Sequence, residues 1–208
     1  MNRRKYFDSA AGGWDGTHHR DTHEKLCHLI DSLDINRGEN VVDLGCGTGV
    51  LFPHILEKVG GEGKILGIDY SLGMLKEAQV RMLSPREPVS TGNVLLATGD
   101  ARFLPVKGES FEVVTCFAAF AHFEDKKSAL LEMQRLLKPG GRVYIIHLLG
   151  REELAKHHRQ TGGPFVHDTL PEDPEMEKML QHVGLTKIEI TDSPSLYLAK
   201  AEKPGSHR

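Results

Sequence analysis

Four features are scarce or missing in this 208-residue sequence, and each absence argues against a class of protein. Only three cysteines occur, Cys27, Cys46 and Cys116, without a Cys-x-x-Cys pair, which argues against a disulfide framework or a zinc knuckle. The formal net charge is −3, so no broad basic field would draw the chain to nucleic acid or anionic lipid. The start lacks the apolar run of a signal peptide, and no stretch approaches the roughly 18–20 apolar residues of a membrane span. We therefore expect a soluble cytoplasmic protein without a nucleic-acid partner or membrane insertion.

Apolar segments and helical patterns alternate through the middle of the chain. Hydrophobic residues make up 39% of the sequence, enough for a real core, and the length suits one domain. Five strands are predicted, at 40–44, 64–69, 94–98, 111–117 and 142–148. Helices are predicted between them, at 50–59, 71–83 and 126–137. This alternation is typical of a parallel sheet with helices on both faces.

A further helix is predicted before the alternating region. Asp21 or Thr22 can cap its start. This prediction is based on apolar residues at helical spacing, namely Leu26, Leu29, Ile30 and Leu33.

The region after the fifth strand has a different pattern. Residues 150–171 show no clear period, and a helix is predicted at 174–183. Two strands at 186–190 and 196–201 form a hairpin, so the last strand enters the sheet antiparallel. The predicted fold class is α/β, a doubly wound seven-stranded mostly parallel sheet with an antiparallel last strand and helices on both faces.

A buried strand runs into a glycine-rich turn that opens a helix, over Val41-Val42-Asp43-Leu44-Gly45-Cys46-Gly47-Thr48-Gly49. Glycine is needed where backbone approaches a ligand closely or takes a positive φ. Open parallel sheets bind ligands beyond the carboxyl ends of their strands, so we expect a cofactor at 45–49. A nicotinamide site uses G-x-G-x-x-G to place a pyrophosphate at the helix start, whereas here the spacing is G-x-G-x-G. S-adenosylmethionine has no phosphate, and its α-amino group suits a carboxylate such as Asp43.

The segment D-L-G-C-G-T-G at 43–49 resembles the first motif of the class I, Rossmann-like S-adenosylmethionine-dependent methyltransferases. Segments 65–71, 98–101 and 137–142 resemble further motifs of that family, in the same order. The resemblance covers about residues 38–148, and the family's last strand is also reversed. It implies a single methyltransferase domain at 1–208, with S-adenosyl-L-methionine as the cofactor. Its parts are an N-terminal cap and helix at 1–36, a cofactor-binding core at 37–149, and an acceptor-side segment with the terminal hairpin at 150–208.

The same resemblance implies roles for individual residues. Asp69 would accept hydrogen bonds from both ribose hydroxyls, with Tyr70 against the adenine. Asp100 would accept from the exocyclic amine, Ala101 would supply backbone, and Phe117 would flank the methionine part. Taken singly, Asp69 is also readable as a helix cap and Asp100 as a turn residue. The cofactor-binding residues that we predict are Asp43, Gly45, Cys46, Gly47, Asp69, Tyr70, Met74, Asp100, Ala101, Phe117 and Trp14.

The N-terminal segment bears on the acceptor. Residues 7–15 resemble the F-D-x-x-A-x-x-W/Y-D opening of small-molecule methyltransferases of the quinone-biosynthesis type, in which this segment folds over the cofactor. Tyr6 and Trp14 are therefore candidates for a lid; the alternative is that they pin a loose terminus onto the domain. The N/D-P-P-Y/F motif of nucleic-acid and protein N-methyltransferases is missing after the fourth strand. The resemblance implies a small-molecule substrate.

His147 and His122 are the predicted catalytic residues. His147 lies near the end of the fifth strand, where ligands are expected. His122 follows the fourth strand; its alternative is a helix-start histidine with a backbone partner. The C-terminal histidines form a group of four, His147, His157, His158 and His167. This group can supply a general base, bind a metal, or remain exposed and polar. Adjacent histidines on a helix do not face one ligand, and we predict no metal site.

Two other classes of function compete with a methyltransferase. A nicotinamide-dependent oxidoreductase would bind NAD(H), but Val50 occupies the place of its third glycine. A noncatalytic S-adenosylmethionine-binding protein would bind the cofactor without turning it over, and nothing in the sequence argues against it.

Overall fold

The computed structural model describes residues 2–15, 23–84 and 91–205. The chain divides into two compact units, Met1–Gly99 and Asp100–Arg208, referred to below as the first and second units. The assignment of one domain in three parts stays a prediction. The expected cap at Asp21 or Thr22 lies outside the described residues.

The first unit holds three parallel strands in the order β3-β2-β1. Their bounds are β1 Asn40–Leu44, β2 Lys64–Asp69 and β3 Val94–Thr98, as predicted. Its helices are α1 Arg3–Ala10, α2 His23–Ser32, α3 Phe52–Val59 and α4 Leu72–Met82.

Local sequence explains these helices. The four apolar residues predicted to share one helix face are all buried, although α2 ends one residue before the last of them, Leu33. Pro53 lies in the first turn of α3, where a missing N–H is tolerated. Ser71 caps α4 by accepting a hydrogen bond from the Met74 N–H, as serine at a helix start commonly does. Helix α1 was not predicted, because only Phe7 on it is buried and its other positions show no apolar period.

The second unit holds four strands in the order β4-β5-β7-β6. They are β4 Phe111–Phe117, β5 Leu137–His147, β6 Thr186–Ser193 and β7 Leu196–Glu202. Strands β4 and β5 are parallel, and β7 is antiparallel to both β5 and β6, which confirms the predicted hairpin and reversed last strand. The helices are α5 Lys126–Leu136, α6 Arg151–Thr161 and α7 Asp173–His182.

Strand β5 begins earlier than predicted, at Leu137 instead of Arg142. The pairing with β4 passes from Phe111↔Leu137 to Val113↔Arg142, so the residues between bulge out. Backbone hydrogen bonds join this bulge to Lys203, which accepts from the Gly140 N–H and donates to the Gly141 carbonyl. The residues between Leu137 and Arg142 therefore belong to β5, because a later segment of the chain supplies their hydrogen bonds.

Helix α6 lies where the sequence showed no clear period. Its only buried residues are Leu154 and His158, one turn apart. Because one of the two is a histidine, the buried face gives no apolar period in the sequence. The helix is fixed at its start, where the Arg151 N–H donates to the Asp192 carboxylate at 2.9 Å. A Cβ added to Gly150 would lie 2.1 Å from the Ser193 carbonyl oxygen.

Within the described ranges, no helix combines the length and the apolar character that crossing a membrane requires.

Candidate functional site

The glycine-rich turn after β1 takes the backbone shape that its sequence predicts. Gly45, Gly47 and Gly49 have φ values of 76°, 52° and 75°, which side chains rarely adopt. A Cβ added to Gly49 would lie 2.5 Å from the Phe52 ring, whereas one added to Gly47 would meet no atom of the described residues within 4 Å. Gly49 is thus required by packing, while Gly47 exposes its backbone to open space that a ligand can fill.

Asp69 joins this turn to the end of β2. Its Oδ2 accepts from the Gly47 N–H at 2.9 Å, and its Oδ1 accepts from the Ser71 N–H at 2.8 Å. Burial raises the pKa of this carboxyl from 3.8 to about 6, against the opposing effect of these bonds. A third backbone N–H, that of Tyr70, also acts on this carboxylate. The two oxygens of an ionised carboxylate have four acceptor sites together, so Asp69 keeps acceptor capacity for a ligand hydroxyl.

Asp43 and Cys46 are buried around the same turn. Burial raises the pKa of the Cys46 thiol well above its usual value, and the negative charges of Asp69 and Asp43 add to that shift. A thiol held in its protonated form is a poor nucleophile, so Cys46 fills space in the turn.

Asp8 in α1 caps α4 from outside that helix. Its Oδ1 accepts from the Ser71 hydroxyl at 2.7 Å and from the Gly73 N–H at 2.9 Å. These hydrogen bonds hold the pKa of Asp8 below its usual range. A Cβ on Gly73 would lie 2.8 Å from the Asp8 Cα, so the two helices meet backbone to backbone. Our prediction did not include Asp8, although it is the second residue of the F-D opening.

Asp15 holds the other end of the N-terminal segment. It accepts from the Thr48 hydroxyl at 2.6 Å and forms an ion pair with Arg81. Arg81 also donates from Nε to the Thr48 carbonyl at 3.0 Å. Two aspartates therefore fasten this segment, one to the start of α4 and one to the glycine-rich turn.

The aromatic residues of the first unit cluster around Phe7. Its ring lies edge-on to Trp14 at 5.4 Å and to Tyr70 at 6.1 Å between centroids. Tyr6 lies edge-on to Phe7 at 5.7 Å. Met74 is buried. The structure brings Trp14 and Tyr70 to the same ring, and the lid role and the cofactor contacts of these residues stay predictions.

Asp100 and Ala101 follow β3 in sequence and begin the second unit. The Asp100 carboxylate accepts from the Arg102 N–H at 2.9 Å and from Arg102 Nη2 at 2.7 Å. This guanidinium holds the pKa of Asp100 below its usual range. Asp100 and Arg102 are both exposed, so a ligand amine that bound Asp100 would compete with an arginine. The predicted adenine contact stays a prediction.

Phe117 and His147 end the parallel strands β4 and β5, and both are buried. The Nε2 atom of His147 is enclosed and has no hydrogen-bond partner among the described residues. Burial lowers the pKa of His147 from 6.5 to about 3, and His122, His158 and Lys126 add to that shift. His147 is therefore a neutral imidazole at physiological pH.

His122 lies in the short turn Phe120–His122 after β4 and belongs to a buried histidine cluster. Its Nδ1 is 2.9 Å from Asp168 Oδ2. His158 Nδ1 is 2.7 Å from the Asp168 carbonyl oxygen, and the two imidazole centroids are 5.0 Å apart. The ring of Phe165 lies 5.4 Å from His122 and 5.5 Å from His158.

The sequence did not lead us to predict Asp168 as a site residue or His158 as a buried one. Asp168 is 46 residues from His122, and no spacing rule links positions so far apart. His157 is exposed, which agrees with the prediction that neighbouring histidines on one helix cannot face one ligand. Across the described parts of the chain, no group of three or more histidine, cysteine or acidic residues is arranged to hold a metal ion.

Comparisons with known proteins point to methyl transfer. A family model described as a methyltransferase domain matches residues 35–187. A demethylmenaquinone methyltransferase of Staphylococcus epidermidis is 34% identical over 119 residues, which cover 57% of this chain and 47% of that protein. A ubiquinone/menaquinone biosynthesis C-methyltransferase of Idiomarina loihiensis is 36% identical over 119 residues, which cover 57% of this chain and 46% of that protein. The chain spans about half the length of these curated relatives.

Solved structures agree over nearly the whole chain. The complex between the Haloferax volcanii Trm112 methyltransferase activator and a methyltransferase contains a chain that matches with a TM-score of 0.75, 23% identity and coverage of 95% of this chain and 97% of that one. An S-adenosyl-L-methionine-dependent methyltransferase of Methanococcus maripaludis matches with a TM-score of 0.73 and 18% identity, over 98% and 93%. Phosphoethanolamine N-methyltransferase 2 of Haemonchus contortus, solved with S-adenosyl-L-methionine, matches with a TM-score of 0.73 and 17% identity, over 97% and 58%. At these identities the likeness shows the fold, and it confirms the predicted α/β class.

Proposed function

Since this chain belongs to the methyltransferase domain family, we propose that it transfers the methyl group of S-adenosyl-L-methionine to a small molecule. The observation that carries the proposal is the contact of Asp69 with Gly47. A buried carboxylate with acceptor capacity to spare is held by the backbone of a glycine that faces open space. This arrangement suits a ligand with two adjacent hydroxyls and no phosphate.

The residues of the glycine-rich turn fit this cofactor. Gly47 leaves room for a ligand, Asp69 would accept from the ribose, and Asp43 places a carboxylate near the turn for the α-amino group. When bound, the cofactor supplies a methyl group already activated on a sulfonium. The protein's contribution is therefore mainly to position the acceptor and to exclude water.

A hydroxylated aromatic ring is the acceptor class that the comparisons favour. Both curated relatives named above act in menaquinone or ubiquinone biosynthesis by their names. We propose a reduced quinone or a similar aromatic diol as the methyl acceptor of this chain.

Family membership sets the nicotinamide oxidoreductase aside, and the noncatalytic binder remains the second candidate. Both remaining candidates bind S-adenosylmethionine, so binding alone does not separate them. Methyl transfer to an acceptor does separate them, because only an enzyme turns the cofactor over.

We further propose a cytoplasmic location and no nucleic-acid partner. None of the three cysteines forms a disulfide, as is usual in a reducing compartment. The net charge of −3 gives no attraction to a phosphate backbone. Fractionation of the native host and a gel-shift assay with DNA and RNA would test these two statements.

The test of the proposed function has two steps. Calorimetry should show binding of S-adenosylmethionine and of its demethylated product, and no binding of NADH. Incubation with reduced menadione, a 1,4-naphthohydroquinone, should then give a singly methylated product by mass spectrometry. Binding without any methylated product would favour the noncatalytic binder, and binding of NADH alone would refute the proposal.

A further inference from the structure

We propose that His122 is the general base that removes a proton from the methyl acceptor, and that Asp168 and His158 hold its imidazole in the active tautomer. This inference rests on the proposed function, because the base is needed only where an acceptor is methylated. His122 follows the carboxyl end of β4, and ligands of open α/β sheets bind beyond such strand ends.

The contact with Asp168 fixes which nitrogen of His122 is basic. A carboxylate oxygen only accepts hydrogen bonds, so at 2.9 Å the Nδ1 atom of His122 must carry the proton. The basic lone pair of the neutral ring is then on Nε2. When Nε2 takes up a proton, the carboxylate at Nδ1 stabilises the imidazolium that forms.

His158 holds this pair from the other side. The carbonyl of Asp168 also only accepts, so His158 donates to it from Nδ1 at 2.7 Å. Burial lowers the pKa of His158, which keeps that ring neutral beside His122. Asp168 is thus bound through both its main chain and its side chain, and the tilted rings of His122 and His158 restrict each other's rotation.

The same geometry separates the two predicted catalytic histidines. His147 is buried and its Nε2 is enclosed, whereas His122 is partly exposed, with 15% of its side chain accessible. A base whose pKa is about 3 binds a proton too weakly for use near neutral pH. The structure therefore favours His122 as the base.

A fixed base indicates the chemical class of the acceptor. An amine brings its own lone pair and a thiol ionises at about pH 8.5, whereas an aromatic hydroxyl ionises near pH 10 and gains most from a base. The O–H bond of the acceptor breaks and its proton goes to Nε2 of His122. The electron pair released into the acceptor forms the bond to the methyl carbon, and the carbon–sulfur bond breaks with its pair staying on sulfur as a neutral thioether. The acceptor class is a phenol or a hydroquinone, methylated on oxygen or on a ring carbon. On a ring carbon, the C–H bond then breaks and its proton returns to the ring oxygen, which restores the aromatic ring.

Nitrogen NMR of the histidine rings tests the tautomer without any acceptor. Wild-type His122 should carry its proton on Nδ1, and the isosteric variant Asp168→Asn should move it to Nε2, because an amide can donate to Nδ1. The matched control is His182→Gln, at an exposed position on α7, which should leave the His122 signals unchanged. A wild-type His122 protonated on Nε2 overturns the proposal.

Turnover with reduced menadione tests the role in chemistry. His122→Gln and Asp168→Asn should lower kcat by roughly 10²–10⁴-fold with cofactor affinity within about twofold of wild type. Asp168→Glu should recover part of the loss, and His182→Gln should keep the wild-type rate.

The outcomes separate the two proposals. A wild type that does not bind S-adenosylmethionine in calorimetry refutes the proposed function, and the base role falls with it. A wild type that binds the cofactor but methylates none of the acceptors favours the noncatalytic binder, and the base role falls with the proposed enzyme activity. A wild type that methylates histamine or phosphoethanolamine instead of reduced menadione overturns the base assignment and the acceptor class, while methyl transfer itself stands. Variants that keep their turnover overturn it as well.

Discussion

The two units differ in how they hold their functional side chains. In the first unit, Asp8 and Asp69 accept hydrogen bonds from backbone N–H groups at the starts of turns and helices. In the second unit, His122 is held by a side chain 46 residues away, Asp168. Both kinds of contact join distant parts of the sequence, since Asp8 is 65 residues from Gly73 and Asp69 is 22 residues from Gly47. The difference is that backbone N–H groups hold the carboxylates of the first unit, whereas another side chain holds the imidazole of the second.

The units also differ in the direction in which acid changes their stability. Asp69 has a folded pKa of about 6, above its ordinary 3.8, so the folded state takes up the proton first and stability rises as the pH falls from 6 to 3.8. His147 has a folded pKa of about 3, below its ordinary 6.5, so the unfolded state takes up the proton first. The contribution of His147 to the free energy of unfolding is therefore fully present above pH 6.5 and is lost as the pH falls towards 3.

The largest effect is expected for Asp69→Ala. Two ribose hydroxyls would lose a charged acceptor worth about 1.5–3 kcal/mol each, which corresponds to a loss of affinity of roughly 10²–10⁴-fold. Calorimetry with S-adenosylmethionine measures it. His122→Gln, in the second unit, should bind the cofactor as wild type does. An unchanged affinity in Asp69→Ala would contradict the assignment of Asp69 to the ribose. The proposed difference in function between the two units would then lose its support from the first unit.

Next is the pair Gly49→Ala and Gly47→Ala. An alanine at position 49 would lower the free energy of unfolding in two ways. The positive φ costs about 1–2 kcal/mol, and the overlap of the added methyl group with Phe52 costs about 1–3 kcal/mol. At Gly47 only the φ cost applies, but the added methyl group enters the space proposed for the cofactor. Urea denaturation should show the larger loss for Gly49→Ala, and calorimetry should show weakened binding for Gly47→Ala. Equal stability of the two variants would disprove the packing explanation.

The opposite responses to acid can be separated by two variants. Denaturation at pH 7 and at pH 4.5 gives the acid-induced loss of unfolding free energy for each protein. His147→Gln should lose about 2–3 kcal/mol less than wild type, and Asp69→Asn about 2 kcal/mol more, at about 1.4 kcal/mol per pH unit. If both variants follow the wild-type curve, neither group titrates as its burial implies.

The smallest effect is expected for Asp8→Ala. Loss of its hydrogen bonds to Ser71 and Gly73 should lower stability by about 0.5–2 kcal/mol and speed amide hydrogen exchange in α1. Asp31→Ala, at an exposed site on α2, is the control and should stay within about 0.5 kcal/mol of wild type. Slow exchange in α1 of the Asp8 variant would show that the aromatic cluster alone holds this helix.

Local patterns predicted most of the fold. All seven strands, the hairpin and the Ser71 cap follow from apolar runs, turn residues and capping chemistry within a few positions. Helices α1 and α6 were missed because each buries only one or two residues, too few for a periodic signal. The same reasoning explains the site: the glycine-rich turn is readable as a motif, but the pairing of His122 with Asp168 depends on how α6 packs.

The tight contact at Gly150 limits how this protein can evolve. With the Ser193 carbonyl 2.1 Å from where a Cβ would stand, no residue other than glycine fits unless the hairpin moves. Any larger residue at position 150 would shift the start of helix α6, and with it the position of His158.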